Sequence, residues 1–238
     1  MADARSGMFP EAATRVTPKN SLLKEERMKS YKFVSLLVVL ALGIGVSAIA
    51  LAAPGDKEKG EKEKKGLTVG DKAPQWEGLM GVDDKSHSLA DLEDVEVIVQ
   101  VFTCNGCPVA KDYEPRLVEL QKAYEDKGVR VVAINVNNGE REELPAMKER
   151  AEKQEFNFAY LDDPSQESAR QCGARVTPHV FVLDKDRKIA YVGAFDDNQE
   201  TDKVEVHYVR DAVDALLAGR APEVTESKAF GCGIHWEK

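Results

Sequence analysis

Hydrophobic residues after position 67 alternate between a strand period and a helix period. Two runs rich in valine and isoleucine, "DVEVIVQVFT" from Asp94 to Thr103 and "VRVVAINVN" from Val129, predict buried strands. Between them, apolar side chains recur at helical spacing, which predicts a helix from Pro108 to Tyr124 with one buried face. The apolar positions of that face are Val109, Tyr113, Leu117, Leu120 and Ala123.

The same alternation continues toward the C-terminus. Helices are predicted from Leu144 to Gln154, from Ser165 to Cys172 with Gly173 as its C-cap, and from Val206 to Leu217, and "FAYLDD" predicts a short strand. The segments "HVFVLD" and "KIAYVGAF" flank "KDRK" and predict an antiparallel hairpin. Strands that alternate with helices and end in a hairpin predict a three-layer α/β/α sandwich around a mixed central sheet.

A different apolar pattern, hydrophobic all round, occupies residues 33–53. Two lysines precede it, and an A-x-A cleavage pattern ends at Ala52. The segment 28–53 is interpreted either as a signal peptide cleaved near Ala52 or as an uncleaved anchor, since about 21 apolar residues can span a bilayer of roughly 30 Å. A buried core helix is the third alternative. In the first two cases the basic flank puts residues 54–238 in a periplasmic or other extracytoplasmic space, with membrane contact only through an uncleaved apolar run.

Composition and charge define the remaining segments and exclude one class of partner. The chain is 42% hydrophobic, enough for a core, and its net charge of −9 argues against nucleic-acid binding. Residues 1–27 are polar and without apolar periodicity, so they are predicted to be disordered. The segment 54–66 contains "GDKEKGEKEKK" and is predicted to be a charged, solvated linker. A domain over 67–220 and a C-terminal tail over 221–238 follow.

The cysteine pair in "FTCNGCPVA" carries the candidate chemistry. A structural disulfide between Cys104 and Cys107 closes only four residues, which stabilises by about 2 kcal/mol against about 3 kcal/mol for a fifteen-residue loop. A zinc site needs four ligands, and one CxxC supplies two. The four histidines show no ligand spacing. Copper needs fewer ligands and stays an alternative. A lone CxxC in a βαβ pattern favours redox use, with no metal or cofactor expected.

The strand-then-helix pattern predicts that Cys104 lies at the start of the helix. Its thiolate then meets free backbone N–H groups and the positive end of the helix dipole. A pKa lowered from about 8.5 to about 7 makes a thiol about half ionised at pH 7, at roughly 2 kcal/mol of differential stabilisation. Cys107 is predicted on the same face one turn later, where it can attack a mixed disulfide on Cys104. Cys104 is therefore the predicted nucleophile and Cys107 the resolving thiol.

A second motif, Thr177-Pro178, precedes the predicted strand "HVFVLD". Pro178 is either an ordinary strand-start proline or a cis proline beside the dithiol. The segments "VGDKAPQWEGLMGVDDKSHSLADL", "FTCNGCP", "VTPHVFVLD" and "AYVGAFDDN" together resemble the thioredoxin-like superfamily. They are most similar to its redoxin group, which is related to alkyl hydroperoxide reductase and thiol-specific antioxidant proteins. The tail "GCGIHW" resembles that of exported members, and the resemblance covers about residues 67–238.

The resemblance implies a thioredoxin fold in which Cys104 attacks, Cys107 resolves and Pro178 is cis. Thr177 is then expected to offer backbone hydrogen bonds to a bound partner. The implied function is an extracytoplasmic thiol–disulfide oxidoreductase that acts on a partner protein or a small-molecule thiol or disulfide. A thiol-dependent peroxidase that acts on peroxide and a copper-binding module that uses the same two cysteines are the alternatives.

Three positions at the pair depart from known relatives of this fold. Thioredoxin has Trp before the first cysteine and Pro inside the pair, where this chain has Thr103 and Asn105-Gly106. Peroxiredoxins use Thr-x-x-Cys, whereas Thr103 directly precedes the first cysteine. Thr103 and His179, which follows the proline, are therefore the candidate residues for tuning the redox pair.

Three further side chains have open roles. Cys172 is predicted to be a small buried hydrophobe. Cys232 lies between two glycines of the tail and is predicted either to pair with Cys172 or to meet the active pair. Glu114 is predicted to lie on a solvated helix face, with a role as proton acceptor for Cys107 as the alternative.

Overall fold

A computed structural model describes residues 66–238 of the chain. The predicted disordered segment at 1–27, the signal peptide or anchor at 28–53 and nearly all of the linker at 54–66 lie outside the described residues. Within the described part, no helix is both long and apolar enough to cross a membrane.

Residues 66–238 contain nine strands, which form two sheets. The strands are β1 (Leu79–Gly81), β2 (Ser86–His87), β3 (Val97–Thr103), β4 (Val129–Asn135), β5 (Ala159–Asp162), β6 (Val176–Thr177), β7 (His179–Leu183), β8 (Ile189–Gly193) and β9 (Cys232–Gly233). Seven of them form the central sheet in the order β2-β1-β5-β4-β3-β7-β8, and β6 pairs with β9 in a separate two-stranded sheet. The strands of two or three residues are too short to give a periodic signal, and none of them was predicted.

The central sheet is mixed, as predicted. Strands β3, β4 and β5 run parallel, with Val97 opposite Val129. Strand β7 runs antiparallel to β3, and β8 antiparallel to β7, which confirms the predicted hairpin. The parallel strands are buried on both faces, which explains their almost unbroken run of valine and isoleucine.

In the described part of the chain four α-helices accompany the sheet, and their predicted positions are correct to within two residues. They are α1 (Pro108–Tyr124), α2 (Leu144–Lys153), α3 (Glu167–Cys172) and α4 (Tyr208–Leu217). Helix α1 has the predicted bounds. Gly173 ends α3 in the left-handed conformation at φ 72°, which a residue without Cβ adopts at least cost.

Alternate residues of the central strands enter two separate cores. On one face, the odd-numbered valines of β3 pack against side chains of α1 and α4, including Leu120 and Val213. Helix α2 covers the same face through Met147. On the other face, Phe102 packs with Trp76 and with Ala169 of α3. The three-layer prediction is confirmed, with a thinner second layer made from α3 and the segment that precedes β3.

Strand order brings the two sequence motifs together. The cysteine pair follows the carboxyl end of β3, and Thr177-Pro178 precedes the amino end of β7. Because β7 runs antiparallel to β3 as its direct neighbour, these two ends lie at the same edge of the sheet. The candidate site is therefore built where β3, α1 and β7 meet.

Candidate active site

The helix that follows the cysteine pair begins one residue after the second cysteine. Cys107 is the N-cap of α1 and Pro108 is its first residue, a position that suits proline because it has no N–H to satisfy. The Ala110 N–H donates a hydrogen bond to Cys107 Sγ at 3.4 Å. The prediction that Cys104 occupies the helix start is wrong, since Cys104 lies three residues before this N-cap. The helix N-terminus therefore acts on Cys107.

Thr177 contacts both cysteines. Its hydroxyl lies 3.2 Å from Cys104 Sγ, and its carbonyl oxygen accepts a hydrogen bond from the Cys107 thiol at 3.0 Å. The Thr177–Pro178 peptide bond is cis, as predicted. Both cysteines are free thiols and only 2% exposed. The structure thus places the four principal predicted residues in one cluster, while their catalytic and binding roles stay predictions.

A buried carboxylate holds the loop between the cysteines. Glu142, in the connection from β4 to α2, accepts the Asn105 N–H at 2.6 Å and the Gly106 N–H at 2.8 Å. A Cβ on Gly106 would lie 2.6 Å from Glu142 Oε1, so a larger residue at this position would displace the carboxylate. Sequence reasoning missed Glu142, because it lies in the charged run "GEREEL", which is typical of a solvated loop.

The Asn105 side chain is fixed from two further directions. Its Nδ2 donates to the Arg141 carbonyl oxygen at 2.8 Å, and its Oδ1 accepts the hydroxyl hydrogen of Tyr160 at 2.7 Å. Both Asn105 and Tyr160 are buried. A buried polar side chain with all these groups paired is rigid, because each broken bond would leave an unsatisfied group. The loop from Cys104 to Cys107 is therefore held in one geometry.

The two thiols have opposite electrostatic environments. The hydrogen bond to Cys107, burial and the nearby Glu142 carboxylate raise the pKa of Cys104. The hydrogen bond from the Cys104 thiol, the thiol and N–H of Cys232 and the Ala110 N–H lower the pKa of Cys107 well below its usual range. The Thr177 carbonyl oxygen favours neutral Cys107, but these four donors outnumber it. The dithiol therefore holds its first negative charge on Cys107, with the Cys104 S–H donating to it.

The two candidate tuning residues contribute little polar contact. Thr103 is buried, and its carbonyl oxygen accepts the Val136 N–H at 3.1 Å. The His179 ring packs against Phe181 at 4.8 Å between centroids, and its buried Nδ1 has no hydrogen-bond partner among residues 66–238. Burial and the Arg175 charge lower the His179 pKa to about 4, so the ring is neutral at physiological pH. Their influence on the redox pair stays a prediction.

The expectation of a solvated Glu114 is wrong. Its side chain is buried, and Arg150 of α2 binds both of its carboxylate oxygens at 2.5 Å. Sequence periodicity could not reveal this pair, because the two residues belong to different helices. The Glu114 carboxylate is therefore held in an ion pair that joins α1 to α2.

A buried arginine on the same helix fixes the loop after β8. Arg116 pairs with Asp196 at 2.5 Å and donates to the backbone carbonyls of Asn198 and Gln199. The Tyr113 hydroxyl also donates to Asp196 at 3.1 Å. Within residues 66–238, the side-chain hydrogen-bond partners of the Cys104 sulfur are Thr177 and Cys107, so Arg116 does not bond to that thiol.

The remaining two cysteines lie in different surroundings. Cys172 is 3% exposed in the core, where burial raises its pKa to about 12, and this confirms the small buried hydrophobe. Cys232 lies opposite Thr177 in the β6–β9 pair and packs against the active pair. Of the two alternatives for Cys232, the structure shows the meeting with the active pair. Within the described part of the chain, no group of three or more His, Cys, Asp or Glu has an arrangement that could hold a metal ion.

The family model of AhpC/TSA proteins matches residues 69–192, which include both cysteines of the CxxC pair, the cis proline and all but the last residue of β8. The chain belongs to the AhpC/TSA family. A solved uncharacterized conserved protein from Geobacillus kaustophilus is 35% identical, with 71% of this chain and 92% of that chain covered and a TM-score of 0.67. A solved hypothetical protein from Sinorhizobium meliloti 1021 is 30% identical, with 73% and 97% covered and a TM-score of 0.68.

A more distant family likeness shows the fold alone. The peroxidoxin BcpB from Mycobacterium tuberculosis is 20% identical, with 64% of this chain and 95% of that chain covered and a TM-score of 0.50. None of the curated proteins compared with the chain matches it. Family membership and the thioredoxin-like fold support a thioredoxin-like redox role for this AhpC/TSA protein.

Proposed function

We propose that this protein is a thiol–disulfide oxidoreductase that exchanges disulfides through Cys104 and Cys107. The observation that carries the proposal is the convergence of both thiols on Thr177 beside the cis proline, with one of them stabilised at a helix N-terminus. The buried contacts of the loop hold Cys104 and Cys107 in one geometry, which favours formation of a disulfide between them.

The charge distribution suggests how the first step proceeds. The Cys104 sulfur attacks one sulfur of the partner disulfide, and its proton passes through Cys107 to the thiolate that leaves. Cys107, again a thiolate, then attacks Cys104 Sγ and releases the second partner thiolate. The protein gains a Cys104–Cys107 disulfide and the partner gains two electrons. The reverse sequence oxidises a partner dithiol.

A thiol peroxidase is the second candidate, since the family model describes alkyl hydroperoxide reductase and thiol-specific antioxidant proteins. Two contacts weigh against it. Glu142 occupies the Asn105 and Gly106 N–H groups, which could otherwise stabilise charge at the nucleophile, and its carboxylate raises the pKa of Cys104. The raised pKa of Cys104 opposes both reactions alike, because each needs a thiolate, so it is the occupation of the two N–H groups by Glu142 that favours disulfide exchange over peroxide reduction.

The proposed place of action is outside the cytoplasm. The support is the sequence pattern of residues 28–53, a basic flank followed by an apolar run and an A-x-A pattern. Alkaline phosphatase fused after residue 66 should be active in cells when residues 28–53 precede it. Inactivity of that fusion, beside an active fusion with a known signal peptide, would contradict the proposed location.

Reduction of the insulin disulfides tests the proposed activity. The full-length protein, with dithiothreitol as donor, should accelerate insulin reduction, and Cys104→Ser and Cys107→Ser should each lower the rate by at least a hundredfold. Cys172→Ala is the matched control, because Cys172 is buried away from the pair, and it should keep the rate. Consumption of hydrogen peroxide is measured in parallel.

The reduction potential gives the direction of electron flow. A value near −270 mV would make the protein a reductant and one near −120 mV an oxidant. Insulin reduction that survives both single substitutions would refute the proposal. Rapid peroxide consumption without insulin reduction would favour the peroxidase.

A further inference from the structure

A third sulfur lies at the candidate active site. Strand β9 pairs with β6 in a register that places Cys232 opposite Thr177, the residue that already contacts Cys104 and Cys107. Cys232 packs against the pair together with Ala110, and its thiol and N–H are among the groups that lower the Cys107 pKa. Three of the four cysteines thus converge on one threonine.

The tail approaches this threonine closely because of a glycine. Gly231 has a φ of 156°, and a Cβ on it would lie 2.1 Å from the Thr177 carbonyl oxygen and 3.1 Å from Pro178 N. Any larger residue would force either the tail or Thr177 to shift. The glycine therefore allows Cys232 to sit next to the dithiol.

Several contacts hold the tail on the far side of Cys232. The Ile234 N–H donates to the Arg175 carbonyl oxygen at 3.2 Å, and the Ile234 side chain enters the core. The His235 N–H donates to Asn137 Oδ1 at 3.0 Å. Gln166, which is fully buried, donates to the His235 carbonyl oxygen and accepts the Glu237 N–H, both at 2.8 Å. Cys232 is thus fixed from both sides.

We infer that Cys232 is a third catalytic thiol, which exchanges with Cys107 and converts the Cys104–Cys107 disulfide into a Cys107–Cys232 disulfide. This inference rests on the proposed disulfide exchange. The ligand class that it adds is a donor dithiol, which would reduce the new disulfide at the tail.

The exchange step conserves electrons within the protein. The Cys232 sulfur attacks Cys107 Sγ, the Cys104–Cys107 bond breaks, the Cys107–Cys232 bond forms, and the proton of Cys232 passes to the released Cys104 thiolate. No external oxidant or reductant takes part. Cys104 becomes free for the next partner, and the disulfide moves to a sulfur that is more exposed than either member of the CxxC pair.

The surroundings of Cys232 favour attack only after the pair is oxidised. Burial is the largest of the causes that raise the Cys232 pKa. The next two are the hydrogen bond with the adjacent Cys107 thiolate and the repulsion by its charge. Once Cys107 is in a disulfide it carries no charge, so these two causes vanish while the hydrogen bond from the Val109 backbone N–H, which lowers the pKa, remains. The thiolate fraction of Cys232 therefore rises when it has a disulfide to attack.

Disulfide mapping on the full-length protein tests the exchange. Reduced wild-type protein is treated with one equivalent of glutathione disulfide, quenched in acid, alkylated with N-ethylmaleimide, digested and analysed by mass spectrometry. Both Cys104–Cys107 and Cys107–Cys232 peptides are expected. The Gly231→Ala protein keeps all four cysteines and should lose the second peptide at least tenfold while keeping the first.

A matched pair of variants isolates the third thiol. In the Cys104→Ser/Cys172→Ala protein, the glutathione adduct on Cys107 should resolve into a Cys107–Cys232 disulfide. With Cys232→Ser added, the adduct should live at least ten times longer. Equal adduct lifetimes, or wild-type protein in which oxidation yields Cys104–Cys107 alone, would overturn the inference.

The two proposals fail in distinguishable ways. If wild-type protein forms no Cys104–Cys107 disulfide and does not reduce insulin, the proposed function fails. If the Cys104–Cys107 disulfide and insulin reduction are present but no Cys107–Cys232 disulfide forms in any variant, the role of Cys232 alone is refuted.

Discussion

The two halves of the loop from Cys104 to Cys107 are held by groups of opposite charge. The first half, from Cys104 to Gly106, is gripped by the buried Glu142 carboxylate through two N–H groups. The second half begins at Cys107 and rests on the N-terminus of α1, whose Ala110 N–H faces the sulfur. The first half is therefore close to a negative charge and the second to the positive end of a helix dipole.

The pKa of Cys104 is raised and the pKa of Cys107 is lowered, although the two cysteines are only three residues apart. The hydrogen bond between the two thiols is the first cause that raises the Cys104 pKa and lowers the Cys107 pKa. The Glu142 carboxylate acts in the same direction on Cys104, and the Ala110 N–H at the helix N-terminus acts in the same direction on Cys107. The anchors of each half therefore reinforce the placement of the shared proton on Cys104.

Breaking the buried ion pair that joins α1 to the loop after β8 should have the largest effect on stability. Asp196→Ala leaves Arg116 buried without its carboxylate, and such a loss costs about 3–5 kcal/mol. The melting temperature should fall on the order of 10 °C, measured by calorimetry. Asp202→Ala, at an exposed carboxylate of the same loop, should change stability by less than about 0.5 kcal/mol. Equal effects of the two substitutions would contradict the role of the buried pair.

Removing the anchor of the first half should cost less stability but change the chemistry. Glu142→Ala leaves the Asn105 and Gly106 N–H groups without their acceptor, at about 1–3 kcal/mol each. We expect a loss of about 2–4 kcal/mol in urea denaturation and a lower Cys104 pKa, followed by thiolate absorbance. Glu140→Ala, at an exposed carboxylate two residues earlier, is the control. An unchanged Cys104 pKa would show that the Glu142 charge does not reach this thiol.

The stability that the Cys107 thiolate of the second half contributes should depend on pH. The folded pKa of Cys107 lies below that of an unfolded thiol, near 8.5, so its thiolate stabilisation is present above that value and declines as the pH falls toward the folded pKa. Cys107→Ser should therefore lower the melting temperature of the reduced protein more at pH 8 than at pH 5. A difference of about 2 °C or more corresponds to about 1 kcal/mol in a domain of this size.

A matched cysteine controls for the loss of a thiol as such. The pKa of Cys172 is raised to about 12, so both its folded and unfolded forms are mostly neutral between pH 5 and pH 8. Cys172→Ala should therefore lower the melting temperature equally at the two pH values. An equal penalty for Cys107→Ser at pH 5 and pH 8 would refute a stabilised Cys107 thiolate.

The smallest expected effect concerns the side chain at the centre of the loop. Tyr160→Phe removes the hydroxyl that donates to Asn105 Oδ1 and leaves a buried acceptor unpaired, at about 1 kcal/mol. Tyr208→Phe is the control, because the Tyr208 hydroxyl makes no side-chain hydrogen bond within residues 66–238. If urea denaturation gives the same loss for both, the contact with Asn105 does not stabilise the loop.

Periodicity predicted the elements that carry the site, because buried parallel strands and an amphipathic helix leave strong signals. The bounds of α1 and the hairpin of β7 and β8 are confirmed. The sequence also indicates where α1 begins. Proline prefers the first helical position, so Pro108 identifies Cys107 as the N-cap. The strand-then-helix pattern predicts Cys104 at this position only if the helix follows the strand directly, whereas four residues, Cys104 to Cys107, separate β3 from α1.

The anchors of the loop were beyond the reach of sequence patterns. Glu142 and Tyr160 contact Asn105 from 37 and 55 positions away, and no local period links residues that meet only through the sheet. Glu114 looked solvated for the same reason, because its partner Arg150 belongs to another helix. A tail position for Cys232 beside the pair was one of two alternatives, and only the β6–β9 register decided between them.

The C-terminal tail also shields the sheet before it reaches the cysteines. The Val192 N–H of β8 donates to the Thr225 carbonyl oxygen, and the Ser227 N–H donates to the Val192 carbonyl oxygen, both at 3.0 Å. Strand β8 ends the strand order, and an unpaired end strand is a template for aggregation. Proteolytic loss of the tail would thus uncover a sticky edge and a reactive dithiol together. A truncated molecule would therefore form disulfide-linked aggregates more readily. The intact C-terminus thus covers both the edge strand and the dithiol.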